Sequence, residues 1–262
     1  MKYFVFSDIH GCLNPLMDSL KKSGYDENNE NHHLLFLGDA FDKPGKWRND
    51  FGVYQFLKEK VESGKLTWIL GNHEIYLLNT IQDMELGSFT KETIINIANG
   101  LEPNKKFSSD EDYLNVLKYH KVVEFIENNT IDYFETKNYV FTHAFIPFNK
   151  KNNTIDPNWR NADRTKWNGA RNNNGMKMVM NGLRIPNKTL VCGHIGTYYG
   201  NITLKYPNII RDSEEFNKIG NKMKSNAKKD PSNFEIFYGN AVIGIDSRSF
   251  DTGIVNIFVV ED

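Results

Sequence analysis

The sequence predicts an α/β protein organised around a parallel sheet. Two observations carry that expectation. Seven short apolar runs have the length of buried strands, and five of them stop at a turn bearing an acid, an amide or a histidine. The first three runs are joined by single stretches of helical periodicity, the crossover that parallel neighbours require.

Taken in order, residues 3–7 form the first strand candidate and run into Asp8-Ile9-His10-Gly11. Residues 13–22 follow as a helix with Leu13, Leu16, Met17 and Leu20 on one face, and Pro15 fits its first turn. Residues 34–37 run into Gly38-Asp39-Ala40-Phe41-Asp42, and 53–61 form the next helix. Residues 66–70 run into Gly71-Asn72-His73-Glu74. Helical periodicity then returns at 75–81, 92–98 and 113–126. Residues 139–142 meet His143, and 189–192 meet Gly193-His194. Two last runs, 241–245 and 254–260, close the chain without such endings.

The length of 262 residues suits one domain spanning 1–262, with long surface insertions near 149–174 and 201–233. Lys and Arg total 32 against 33 Asp and Glu, so no strongly charged surface points to nucleic acid or membrane. The apolar N-terminal run is too short for a signal peptide and no stretch reaches the ~20 apolar residues of a membrane span. A cytoplasmic protein is expected, with Cys12 and Cys192 reduced and buried.

In open α/β sheets ligands bind beyond the carboxyl ends of the strands, where these acids and histidines fall. A pair of divalent ions needs several ligands converging on a site about 3.5–4 Å across. Asp8 and His10, two residues apart as the chain leaves a strand, can take one ion. Asp39 leaves the adjoining strand and can bridge both, while Asn72, His143 and His194 complete the second site. Mixed oxygen and nitrogen donors suit manganese first, with iron or zinc as alternatives, over calcium. Such a pair lowers the pKa of a shared water enough to yield a nucleophile at neutral pH. His73, beside Asn72, is the candidate acid for the leaving group, with Asp42 placed to hold it protonated. Arg171 is the first candidate for clamping phosphate oxygens and Lys43 the second.

Other conspicuous residues read as structural. His32 and His33 precede a strand, His120 lies in a helix, and Trp159 and Trp167 are packing residues. The Lys-rich run 218–229 is a solvated helix face or a mobile loop.

Taken together, the blocks resemble the calcineurin-like metallophosphoesterase superfamily, and more narrowly its phosphoprotein phosphatase (PPP) branch of bacterial and phage type. That branch carries Asp-x-His-Gly, Gly-Asp-x-x-Asp-Arg-Gly and Gly-Asn-His-Glu, then two later histidines. The resemblance covers residues 3–197. It implies a central β-sandwich flanked by α-helices, two metals at strand carboxyl ends, and the roles named above for Asp8, His10, Asp39, Asp42, Asn72, His73, His143 and His194.

There are departures. Lys43 stands where the family has arginine, and Pro44 precedes Gly45. Gly196 occupies the position where other branches place a second histidine, which favours the PPP pattern. Arg171 resembles the family's phosphate-contacting arginine, with Arg164 or Arg160 as substitutes, and the C-terminal substrate-shaping segment has no match around residues 245–248. The implied activity is hydrolysis of phosphomonoesters, phosphoserine and phosphothreonine in proteins first, with small phosphoesters also possible substrates. A dinucleoside polyphosphate hydrolase is the alternative, and a non-catalytic phosphopeptide-binding module the third reading.

Overall fold

The computed structural model describes residues 1–261. The chain begins β1 (Lys2–Phe6), α1 (Leu13–Lys22), β2 (His32–Phe36), α2 (Asp50–Glu62), β3 (Leu66–Ile69) and α3 (Asn72–Asp83). Three more helices follow, α4 (Lys91–Leu101), α5 (Asp110–Tyr119) and α6 (Val122–Asn129). Then come β4 (Thr130–Ile131), β5 (Tyr133–Glu135), β6 (Tyr139–Thr142), β7 (Phe148–Asn149) and β8 (Thr154–Ile155). The chain continues through α7 (Arg164–Ala170), α8 (Gly175–Met180), β9 (Thr189–Cys192), α9 (Tyr198–Lys205) and α10 (Glu214–Asn226). It ends with β10 (Phe237–Gly239), β11 (Val242–Gly244), α11 (Ser249–Thr252) and β12 (Phe258–Glu261).

Two five-stranded sheets result, ordered β12-β1-β2-β3-β4 and β10-β11-β9-β6-β5, with β7 and β8 paired apart. β1, β2, β3 and β4 run parallel, as do β6, β9 and β11, while antiparallel strands close three of the four edges. Side chains alternate across a strand. Phe4 and Phe6 of β1 therefore join a core with α1 to α6, while Val5 faces the other way. Val5, Leu35 and Ile69 of the first sheet pack against Phe141, Val191 and Ile243 of the second. A third core holds Val140, Leu190 and Val242 against α7 to α10. The layers are thus helix, sheet, sheet, helix: a β-sandwich flanked by helices.

Some elements depart from the sequence reading. The single helix expected at 113–126 is two, because Lys121 adopts a left-handed φ of 53° between α5 and α6. Leu114, Val116 and Leu117 are buried before the break and Val122, Val123 and Ile126 after it. His32 and His33 lie inside β2, paired with Lys2 and Tyr3, rather than ahead of it. The 149–174 stretch holds β8, a short 3₁₀ turn and α7, and most of the Lys-rich run is α10, with Phe216 and Met223 buried. Trp159 and Trp167 are packed around Tyr133, as read from sequence. Cys12 and Cys192 are free and buried. No helix among the described residues is long and apolar enough to cross a membrane.

Candidate metal centre

Both sheets point their parallel carboxyl ends to one place. The turn after β1 carries Asp8, that after β2 Asp39, that after β3 Asn72, that after β6 His143 and that after β9 His194. The turns are tight: Asp8, His10, Asp39, Asp42 and His194 all take positive φ, a conformation L-residues adopt at some cost and that concentrates at functional sites. Close approach of backbones makes glycine necessary at two positions. A Cβ on Gly38 would sit 2.5 Å from the backbone nitrogen of Gly71, and one on Gly193 would collide with the Asp8 carboxylate.

Asp39 is the hub. Its Oδ2 lies 3.9 Å from Nε2 of His10 and 3.7 Å from Nε2 of His73, and its Oδ1 lies 3.4 Å from Nε2 of His143. Two compact groups share it: His10, Asp39 and His73 on one side, Asp39, His143 and His194 on the other.

The donor chemistry fits cations. His143 Nδ1–H donates to the carbonyl of Leu37 at 2.8 Å, so Nε2 carries a lone pair. That lone pair faces Asn72 Oδ1 at 2.8 Å and His194 Nδ1 at 3.2 Å. His10 is oriented likewise, its Nδ1–H donating to the carbonyl of Phe41 at 2.6 Å. Lone pairs converging without protons between them are what a metal ion satisfies. Burial, then the neighbouring carboxylates, push Asp8 and Asp39 well above the usual carboxylate range, while burial holds His10 and His143 well below the usual histidine value. Positive charge between these groups would relieve the first and use the second.

Asp8 stands behind the compact groups. Its carboxylate accepts from the backbone N–H of His194 at 2.9 Å, and its carbonyl accepts from Ser249 Oγ at 2.7 Å. The sequence reading placed it with His10 on one ion; neither compact group includes it, and the first contains His73 beside His10 and Asp39.

His73 Nδ1 lies 3.8 Å from Asp42 Oδ2, beyond hydrogen-bond reach, and these atoms have no other hydrogen-bond partner. Burial lifts Asp42 to about 7 and, with Lys43 adding repulsion, lowers His73 to about 3. The sequence reading expects Asp42 to hold His73 protonated; here the two groups stand close without a direct hydrogen bond. At that separation, without metal, desolvation is the leading cause of both shifts.

The two phosphate-clamp candidates separate. Arg171 is buried beneath the site and already occupied: it donates to the Leu70 carbonyl at 2.8 Å, to Asn168 Oδ1 at 2.6 Å and to the Asp132 carboxylate. Arg160 and Arg164 pair with Glu135 and Glu127 on the surface. Lys43 has no ion pair among the described residues, and its ammonium hangs between the Phe89 and Phe250 rings, 5.4 and 5.9 Å from their centres. Arg171, the first candidate from sequence, thus has three protein acceptors, whereas the Lys43 ammonium makes only ring contacts among the described residues.

Sequence reasoning missed three contributors. Glu74, fully buried, accepts from the backbone N–H groups of Gly71, Asp39 and Ala40 at 2.8, 2.9 and 2.6 Å and so ties two ligand turns together. Asp246 follows β11, is buried beside Asp8, and accepts from the Arg248 backbone at 2.6 Å. The reading that 241–245 ends without an acid overlooked it, although the signal was the one used elsewhere. Arg248 sits 4.8 Å over Phe250, whose ring edge meets His10 at 5.4 Å.

Residues 1–220 match the calcineurin-like phosphoesterase family. Among curated proteins, the chain is 30% identical over 158 residues to a bis(5′-nucleosyl)-tetraphosphatase (asymmetrical) of Oceanobacillus iheyensis, covering 56% of this chain and 57% of that protein. It is 33% identical over 79 residues to its namesake in Bacillus subtilis, covering 28% and 31%. The chain thus spans at most 57% of the length of these relatives. A mutant cold-active protein tyrosine phosphatase shares the fold with a TM-score of 0.51 at 13% identity, covering 100% of this chain and 75% of that one. With a family match over most of its length and metal-fitting groups at the carboxyl ends of both sheets, the chain belongs to the calcineurin-like phosphoesterases, whose members use dimetal centres.

Proposed function

We propose that the chain hydrolyses dinucleoside polyphosphates, cleaving a phosphoanhydride rather than a protein phosphoester. The sequence reading ranked phosphoserine and phosphothreonine first; the similarity to bis(5′-nucleosyl)-tetraphosphatases supports the alternative better. The blocks still support a place in the PPP branch, whose metal site serves either substrate. The observation that carries hydrolysis is the meeting of His10, His73, His143 and His194 at one buried carboxylate, Asp39.

Asp8, His10, Asp39, Asn72, His143 and His194 would hold two divalent ions, Mn²⁺ first. When bound, such a pair lowers the pKa of water and neutralises charge on phosphate oxygens. Lys43 binds the remaining phosphate oxygens from the open side. His73 is the candidate acid for the leaving group, and a departing nucleotide phosphate needs that proton far less than a serine alkoxide does.

Metal-stripped protein reloaded with Mn²⁺ should convert diadenosine tetraphosphate and water to ATP and AMP. Efficient turnover of a phosphoserine peptide with the dinucleotide left intact would sink the proposal. Loss of all hydrolysis with metals bound would point to the binding-module reading.

A further inference from the structure

The first turn of α3 carries Asn72 and His73, and its later turns leave the metal centre along the surface. Tyr76 follows His73 at i+3, and Asn79, Thr80 and Asp83 continue the same face at helical spacing. With the 85–89 loop, this face lines an open surface cleft of about 600 Å³, within the range of small-molecule sites. Two large rings flank it. Tyr76 is 39% exposed and Phe89 50% exposed, which is unusual freedom for rings so near a buried site. They meet edge to face at 5.6 Å, and each also touches the imidazole of His73, at 5.7 Å for Tyr76 and 5.1 Å for Phe89. The cavity therefore begins where the metal centre ends.

We propose that Tyr76 and Phe89 form a nucleobase-stacking subsite that holds one base of a nucleotide whose phosphates lie at the metal centre. The inference rests on reading that centre as a polyphosphate-cleaving site. Charge runs the right way along such a ligand. Lys43 lies over the Phe89 ring on the phosphate side, while Asp83 and Glu85 stand at the far rim. An anionic chain would lie toward the ammonium, and carboxylates at the other end would accept from the amino and imino N–H groups of a purine. Asn79 lines the same wall with an amide that makes no hydrogen bond to the described residues, so a base edge has a donor and an acceptor to meet. A phosphoserine or phosphothreonine side chain has no planar group to lie against these rings.

The test is calorimetric and independent of turnover. Mn²⁺-loaded protein is titrated with α,β-methylene adenosine diphosphate and, separately, with methylenediphosphonate, which keeps the P–C–P unit and lacks the nucleoside. Base–aromatic stacking of about 1–3 kcal/mol per base corresponds to roughly 5- to 150-fold tighter binding of the nucleotide. The Tyr76→Ala/Phe89→Ala double variant should bring the two dissociation constants together, and Phe89→Trp should keep them apart. Equal affinities in the wild type, or a preference that survives the double variant, would overturn the subsite. Diadenosine tetraphosphate turnover, measured on the same wild-type protein, judges the proposed activity separately. A nucleotide preference without turnover upholds the subsite and sinks the activity; turnover without a preference does the reverse.

Discussion

Replacing Glu74 by glutamine tests how the ligand turns are held. The side chain is fully buried, and its Oε2 accepts from Gly71 and Asp39 while Oε1 accepts from Ala40. Burial lifts the carboxyl, yet both oxygens face only N–H donors, so a proton there would find no acceptor and the group stays ionised. In the Glu74→Gln variant the side-chain amide can keep the oxygen that takes two bonds, but its NH₂ then faces the N–H of Ala40. One buried donor left unsatisfied costs about 1–3 kcal/mol, and the surviving bonds lose their charge assistance. A partial offset comes from removing a negative charge near Asp8 and Asp39, which Glu74 repels. The net expectation for metal-free protein is a loss of about 1–2 kcal/mol, or roughly 2–8 °C in melting temperature for a chain of this size. With Mn²⁺ bound the offset vanishes and the loss should grow. Thermal unfolding of both forms, with calorimetric counting of Mn²⁺, measures this. A melting temperature within about 1 °C of wild type together with unaltered Mn²⁺ affinity would refute the role given to Glu74.

Three further outcomes are expected. His73→Asn should lower turnover of an alkyl phosphomonoester such as glycerol phosphate by ~10²–10⁴, and that of diadenosine tetraphosphate by much less, because the two leaving groups differ in their need for a proton; equal losses in steady-state assays would contradict the argument. Lys43→Ala should raise KM with little change in melting temperature, whereas Arg171→Met should cost roughly 2–4 kcal/mol of stability in urea unfolding by orphaning the Leu70 carbonyl and Asn168. In metal-free protein, Asp42→Asn should gain stability relative to wild type as pH rises from about 4 to about 7. Folding raises the Asp42 carboxyl to about 7, so the folded wild type binds the proton more tightly than the unfolded chain and loses that advantage across this window, which asparagine lacks. A pH-independent difference in melting temperature would count against it.

Much of the fold was legible because strand, turn and ligand are contiguous in the chain. The block around Asp39 joins an apolar run, a glycine and an acid within a few residues, so local chemistry reveals it. The break at Lys121 was not legible, since helical periodicity within 113–126 is good on either side and only packing against the first sheet requires the face to be re-aimed. The short strands β4, β5 and β10 were also missed, because two or three residues carry too little pattern to stand out.

By itself, the sequence determined the inventory of the site: which carboxylate, amide and imidazole groups stand at strand ends, and that they suit metal-assisted phosphate chemistry. Tertiary structure decided their roles, because those depend on distances between groups far apart in the chain. As letters, Arg171 ranks ahead of Lys43 as a clamp, but in the fold Asp132, Leu70 and Asn168 already engage Arg171, while Lys43 makes only ring contacts among the described residues. His73 and Asp42 look like an ion pair in sequence, yet at 3.8 Å in a desolvated site burial governs both. Tyr76 and Phe89 carry no motif, and only the path of α3 away from the metal centre makes them a wall of one cavity beside it.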